Sequence, residues 1–168
     1  MDAAVLISTL QESLYLVIIL VVFFSYATWR GYQALINLIL GLYLSFLISS
    51  NFPYYQSLTA ETGSVGKESA LLMVVVFVGF TCLATGLFSE LMPPGNNKET
   101  WSDLGKNIIL AIVASALVMA YSFHVLPITE LIDTGTPIQA IFAAPKLFFF
   151  WLLLPLLTLW LYHRFIKR

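Results

Sequence analysis

Residues 14–50 read LYLVIILVVFFSYATWRGYQALINLILGLYLSFLISS, and the fold follows from how this stretch is divided. A helix rises 1.5 Å per residue, so crossing a hydrocarbon layer of about 30 Å takes about 20 apolar residues. The first apolar run, 14–29, extends back to about residue 5, because residues 3–10 are also largely apolar. The second covers 34–50, and the four residues 30–33 between them allow only a tight turn. Two spans in immediate succession are the signature of a helical hairpin set in a membrane.

Carried along the chain, the same reading gives further spans at 70–89, 108–126 and 147–162. The last is short and contains Pro155, which a membrane helix tolerates when neighbours satisfy the freed carbonyl. The expected fold class is therefore an all-α polytopic transmembrane bundle of five spans, a single domain over residues 1–168. A four-span alternative makes the final segment re-entrant. Between the spans lie a polar loop at 51–69, a hard stop at Pro93 and Pro94, and a proline-rich segment at 127–146. Within the last of these, residues 138–144 are expected as a short interfacial helix.

Composition supports this reading. The chain is 60% hydrophobic and 10% charged, with mean hydropathy +0.89, whereas soluble domains are about half apolar and about a quarter charged. So short a chain cannot enclose that much apolar surface. An ordinary soluble globule, a disordered tail and a nucleic-acid binder are excluded. The net charge of −1 gives no general attraction to polyanions. Cys82 stands alone, so neither an internal disulfide nor a multi-cysteine metal site is expected.

Basic residues prefer the cytoplasmic side of a membrane. With five spans, Arg30, Lys98, Lys106, Arg164, Lys167 and Arg168 share one face, and only Lys67 and Lys146 fall on the other. This bias predicts an N-terminus outside and a cytoplasmic C-terminus, and it disfavours the four-span reading, which would put the C-terminal cations on the wrong side. No Lys or Arg precedes the first apolar run, so a cleavable signal peptide is not expected.

The polar residues near the spans are few. Glu12 precedes the strongest part of span one, where a carboxylate in hydrocarbon would mark an ion path; an interfacial position is the simpler expectation. His124, near the outer end of span four, has the chemistry of a proton acceptor but also that of a headgroup-level hydrogen-bonding residue. Glu12 and His124 are the candidates for a polar path. Ser122, His124 and Asp133 contain the residue types of a triad without a spacing that joins them. His124 and His163 fall on opposite faces and cannot share a metal. No H-E-x-x-H or glycine-rich phosphate loop occurs, so neither enzymatic activity nor a cofactor is expected.

Small residues four apart share a helix face and let backbones approach. Gly41, Ser45 and Ser49 do so in span two, Cys82 and Gly86 in span three beside Thr81 and Thr85, and Ala111 and Ser115 in span four, where Ala116 and Ala120 repeat the spacing. These are the expected packing faces, and intramolecular use comes before any oligomer seam. The aromatics, among them Trp29, Tyr32 and Trp160, fall at span ends as an interfacial belt. Phe148, Phe149, Phe150 and Trp151 are expected to face lipid.

Residues 26–58, YATWRGYQALINLILGLYLSFLISSNFPYYQSL, contain an Arg-Gly-aromatic turn, an apolar helix with a spaced glycine, and an aromatic-rich loop. This order resembles the CvpA (colicin V production protein) family. The rest is similar too: a long third helix, Asp103-Leu104-Gly105 opening the fourth, Leu126-Pro127 closing it, and TPIQAIFAAPKLFFFW at 136–151 like that family's amphipathic tail. The chain departs from the family in having Leu104 where Arg is frequent, alanines and Ser115 in place of helix glycines, and a tail apolar enough to span. The resemblance implies a non-enzymatic bacterial inner-membrane protein linked to bacteriocin production or export and to envelope homeostasis. It carries over Arg30 and Gly31, to which anchoring and reversal roles suffice. The alternatives are a small channel or transporter formed by oligomerisation, and an accessory subunit of a larger membrane complex. Beyond the lipid bilayer, the expected partner is a second copy or another membrane subunit.

Overall fold

The computed structural model describes residues 3–52, 67–92, 101–124 and 141–165, and the whole of the loop comprising 127–140 lies outside them, as do the polar loop from 53 to 66 and the stop at Pro93 and Pro94. Five helices are seen, α1 (Ala3–Arg30), α2 (Tyr32–Ser50), α3 (Lys67–Leu91), α4 (Trp101–His124) and α5 (Pro145–Phe165). No strand occurs among the described residues. All five are long and apolar enough to cross a membrane, and the chain is a multi-pass helical membrane bundle.

Each helix begins before its apolar stretch. α4 begins at Trp101, seven residues before the apolar run at 108, and α2 begins at Tyr32. Hydropathy marks the part that must sit in hydrocarbon, whereas backbone hydrogen bonding carries a helix on into the headgroup layer. The turn between α1 and α2 is therefore Gly31 alone rather than 30–33. Its φ of 82° and ψ of 163° lie in a region that side chains other than glycine's hydrogen rarely enter.

Contacts at the helix ends fix the topology. The Tyr32 and Tyr162 ring centroids are 5.3 Å apart, Lys106 Nζ is 5.6 Å from the Tyr32 ring, and Asn37 Nδ2 donates to the Met92 carbonyl at 3.0 Å. The starts of α2 and α4 thus meet the ends of α3 and α5. At the opposite end Tyr15 Oη lies 3.5 Å from Ser122 Oγ, and the His124 ring stacks on Phe148 at 4.0 Å. Successive helices are antiparallel, and α5 runs the full thickness of the bundle instead of re-entering. Its 21 residues give a length of about 31 Å, matching a hydrocarbon layer.

α2 and α4 form the centre. Leu35 and Ile39 from α2, and Leu110, Leu117 and Tyr121 from α4, are buried, while α1, α3 and α5 bury only narrow stripes and leave their other faces for lipid. Tyr121 is the hub. Its ring stacks on Phe46 of α2 at 4.7 Å and meets Phe77 of α3 and Phe148 of α5 edge-on at 6.0 and 6.5 Å. Offset and edge-on ring pairs add to the area they bury. Phe148 corrects the expectation of a lipid-facing cluster: only Phe149 and Phe150 are exposed, and Trp151 stacks on Phe142 at 4.5 Å.

Pro155 sits buried in α5. It removes the amide hydrogen that Trp151 O would accept. On the adjacent residue, the Leu152 carbonyl accepts the Tyr43 hydroxyl of α2, so a neighbouring helix supports α5 beside its weak point. Tyr43→Phe deletes this tie while keeping the ring; unfolding of the detergent-solubilised protein should show a loss of about 0.6 kcal/mol, the average for interhelical hydrogen bonds. Gly31→Ala should cost more, about 1–3 kcal/mol, in the same unfolding measurement.

Candidate functional site

The interface between α2 and α3 is the most extensive in the bundle, and it is built on small residues. A Cβ added to Gly41 would lie 2.9 Å from the Thr85 amide nitrogen and 3.2 Å from its Cα. There is no room for a side chain between the Gly41 and Thr85 backbones there. One turn along, Ser45 Oγ and Thr81 Oγ1 are 2.9 Å apart, and each also lies within hydrogen-bonding distance of its own helix, at Gly41 O (2.6 Å) and Phe77 O (2.9 Å). One hydroxyl donates across the interface while the other donates back to its helix. Ser49 continues the buried stripe on α2.

On α3 the seam is carried by Thr81 and Thr85. The small residues one position on do not share it: Cys82 is exposed, and an added Cβ at Gly86 would meet nothing within 4 Å. A helix turns about 100° per residue, which is enough to swing Cys82 and Gly86 toward lipid. On α4, Ala111 and Ser115 are both buried, and Ser115 Oγ donates to the Ala111 carbonyl at 2.7 Å.

Of the polar-path candidates, His124 is half-buried. Its Nδ1 lies 3.1 Å from the Ala120 carbonyl, and its Nε2 is buried without a hydrogen-bond partner among the described residues. Glu12 belongs to α1, three residues before Tyr15, so its backbone is at the His124 end of the bundle; its side chain lies outside the described residues. Ser122 donates to the Val118 carbonyl at 2.8 Å, and Asp133 lies outside the described residues. Arg30 ends α1, exposed, at the basic end with Lys106 and Arg164. Lys98, Lys167 and Arg168 lie outside the described residues, and Lys146 is exposed at the opposite end.

Two features escaped the reading of the sequence. Asn37 and Asn107 are fully buried one to two turns into α2 and α4. Asn37 uses one amide hydrogen on Met92 O, whereas both amide atoms of Asn107 lack a hydrogen-bond partner among the described residues. The signal was an amide inside each apolar helix. The second feature is a cavity of about 560 Å³ where α2, α4 and α5 meet at the basic end. Gln33, Lys106 and His163 contribute polar groups to it, and Ile36, Leu40 and Leu159 give it an apolar wall. Its residues come from three helices, so no local motif announces it.

No protein-family model, curated protein or solved structure matches the chain.

The two glycines make a paired test. Gly41→Leu drives a side chain into the Thr85 backbone and should cost about 1–3 kcal/mol or more by overpacking. Gly86→Leu projects into open space and should leave the melting temperature in detergent near that of the parent.

Proposed function

We propose that the chain is a non-enzymatic component of an envelope or export system in the bacterial inner membrane, as its likeness to the CvpA family implies. The observation that carries this reading is the close packing of the bundle's middle. Gly41 packs directly on the Thr85 backbone, and Tyr121 is enclosed by three rings. A conduit within one copy needs polar groups along a continuous path; a packed apolar bundle suits a component that holds other proteins or the bilayer in place. The charge distribution, with six of the eight Lys and Arg residues assigned to one face, supports an outside N-terminus and a cytoplasmic C-terminus.

An oligomeric channel is the second reading, favoured by His124, whose buried Nε2 has no hydrogen-bond partner among the described residues. In that arrangement Glu12 and His124 would line a path completed by other copies.

Mass measurement of the complex extracted gently from its native membrane separates these readings. Stoichiometric recovery with a different membrane protein is the expected result. A homo-oligomer with no other subunit, together with ion flux whose pH dependence changes in Glu12→Gln, would replace the component reading with the channel.

A further inference from the structure

The cavity at the basic end changes character along its length. Tyr32 and Gln33, in the first turn of α2, lie at its mouth together with Lys106, Tyr162 and His163, while Leu40 lies eight residues further along the same helix. At 1.5 Å per residue the cavity therefore runs about 12 Å from the headgroup layer toward the hydrocarbon. The mouth offers an ammonium group, an amide and an imidazole; the deep wall offers aliphatic side chains. The Lys106 ammonium stays at the mouth, 5.6 Å from the centre of the Tyr32 ring, and the same end of the bundle carries Arg30 and Arg164 together with the exposed carboxylate of Glu90.

We propose that this cavity binds an anionic phospholipid from the surrounding leaflet, with the phosphate headgroup at Lys106, Gln33 and His163 and an acyl chain against Ile36, Leu40 and Leu159. Basic pockets between membrane helices suit acidic headgroups. A free anion would use the mouth but gain nothing from a further 12 Å or so of apolar wall, and a purely apolar ligand would use the wall but not the ammonium, amide and imidazole groups at the mouth. The volume of about 560 Å³ is in the range of about 300–1,000 Å³ usual for small-molecule sites.

The test uses the purified full-length protein in detergent, with phosphatidylglycerol and phosphatidylcholine of identical acyl chains, and native mass spectrometry as the readout. The parent should retain phosphatidylglycerol at least about fivefold more strongly, the scale expected of one basic residue near an anionic lipid. Lys106→Gln should remove most of that preference and Lys106→Arg should keep it. Lys146→Gln, at the other end of the bundle, should leave it unchanged. Leu159→Trp, which fills the apolar wall, should lower retention of phosphatidylglycerol without touching the charge, and it tests the site independently should Lys106→Gln fail to fold. Equal retention of the two lipids by the parent overturns the proposal. So does a preference that survives in both folded variants, Lys106→Gln and Leu159→Trp, or displacement of the lipid by millimolar inorganic phosphate, which would make the site one for a free anion.

Discussion

The contact between Gly41 and the backbone of Thr85 sets the distance between α2 and α3, and much of the bundle's geometry depends on that distance. In lipid, apolar side chains gain little by leaving one hydrocarbon surface for another, so helices associate through close packing and a few interhelical hydrogen bonds. At Gly41 the packing leaves no room for a Cβ, and the Ser45–Thr81 pair one turn along adds a hydroxyl contact at 2.9 Å. With α3 drawn in, Phe77 reaches the Tyr121 ring, which Phe46 and Phe148 engage from α2 and α5. One absent side chain thereby helps a single aromatic residue touch three other helices.

The polar groups follow a division of labour that the membrane enforces. Several serine and threonine hydroxyls inside the spans return their hydrogen bonds to carbonyls four residues back, as Ser115 and Ser122 do, whereas Thr85 Oγ1 is buried without a hydrogen-bond partner among the described residues. Tyr43 lends its hydroxyl to the α5 backbone beside Pro155, where an unaided helix would carry a freed carbonyl into lipid. The ionisable groups Arg30, Lys106 and Arg164 are instead held at one end. There, a cavity lies between α2, α4 and α5.

Most of the architecture was legible in the sequence because the bilayer imposes a length and a composition on each element. Four of the five helices contain the apolar runs that announced them, the fourth helix covers its run from 108 to 124, and Gly31 marked the reversal between the first two. The boundaries were less legible, since Trp101 to Asn107 is helical without being apolar. Facing was legible only in part. A four-residue spacing identifies a stripe, yet it cannot choose between Thr81–Thr85 and Cys82–Gly86, stripes offset by about 100° on the same helix. That choice depends on which stripe meets Gly41. The inward turn of Phe148 and the cavity beside Lys106 were hidden for the same reason: both are made by residues distant in sequence.

Asn107 adds a last constraint. It is enclosed near the start of α4, at the same end of the bundle as Asn37 and the cavity, with both amide atoms lacking partners among the described residues. An unpaired buried amide costs about 1–3 kcal/mol by the evidence of protein substitutions. A bundle serving only to fill space would favour leucine at both asparagine positions. Their shared depth sets the basic end apart from the aromatic middle around Tyr121: the middle is closed by ring packing, while the basic end carries unspent hydrogen-bonding capacity beside an open cavity. The ring-packed middle and the polar end beside the cavity are therefore two chemically distinct regions of the bundle.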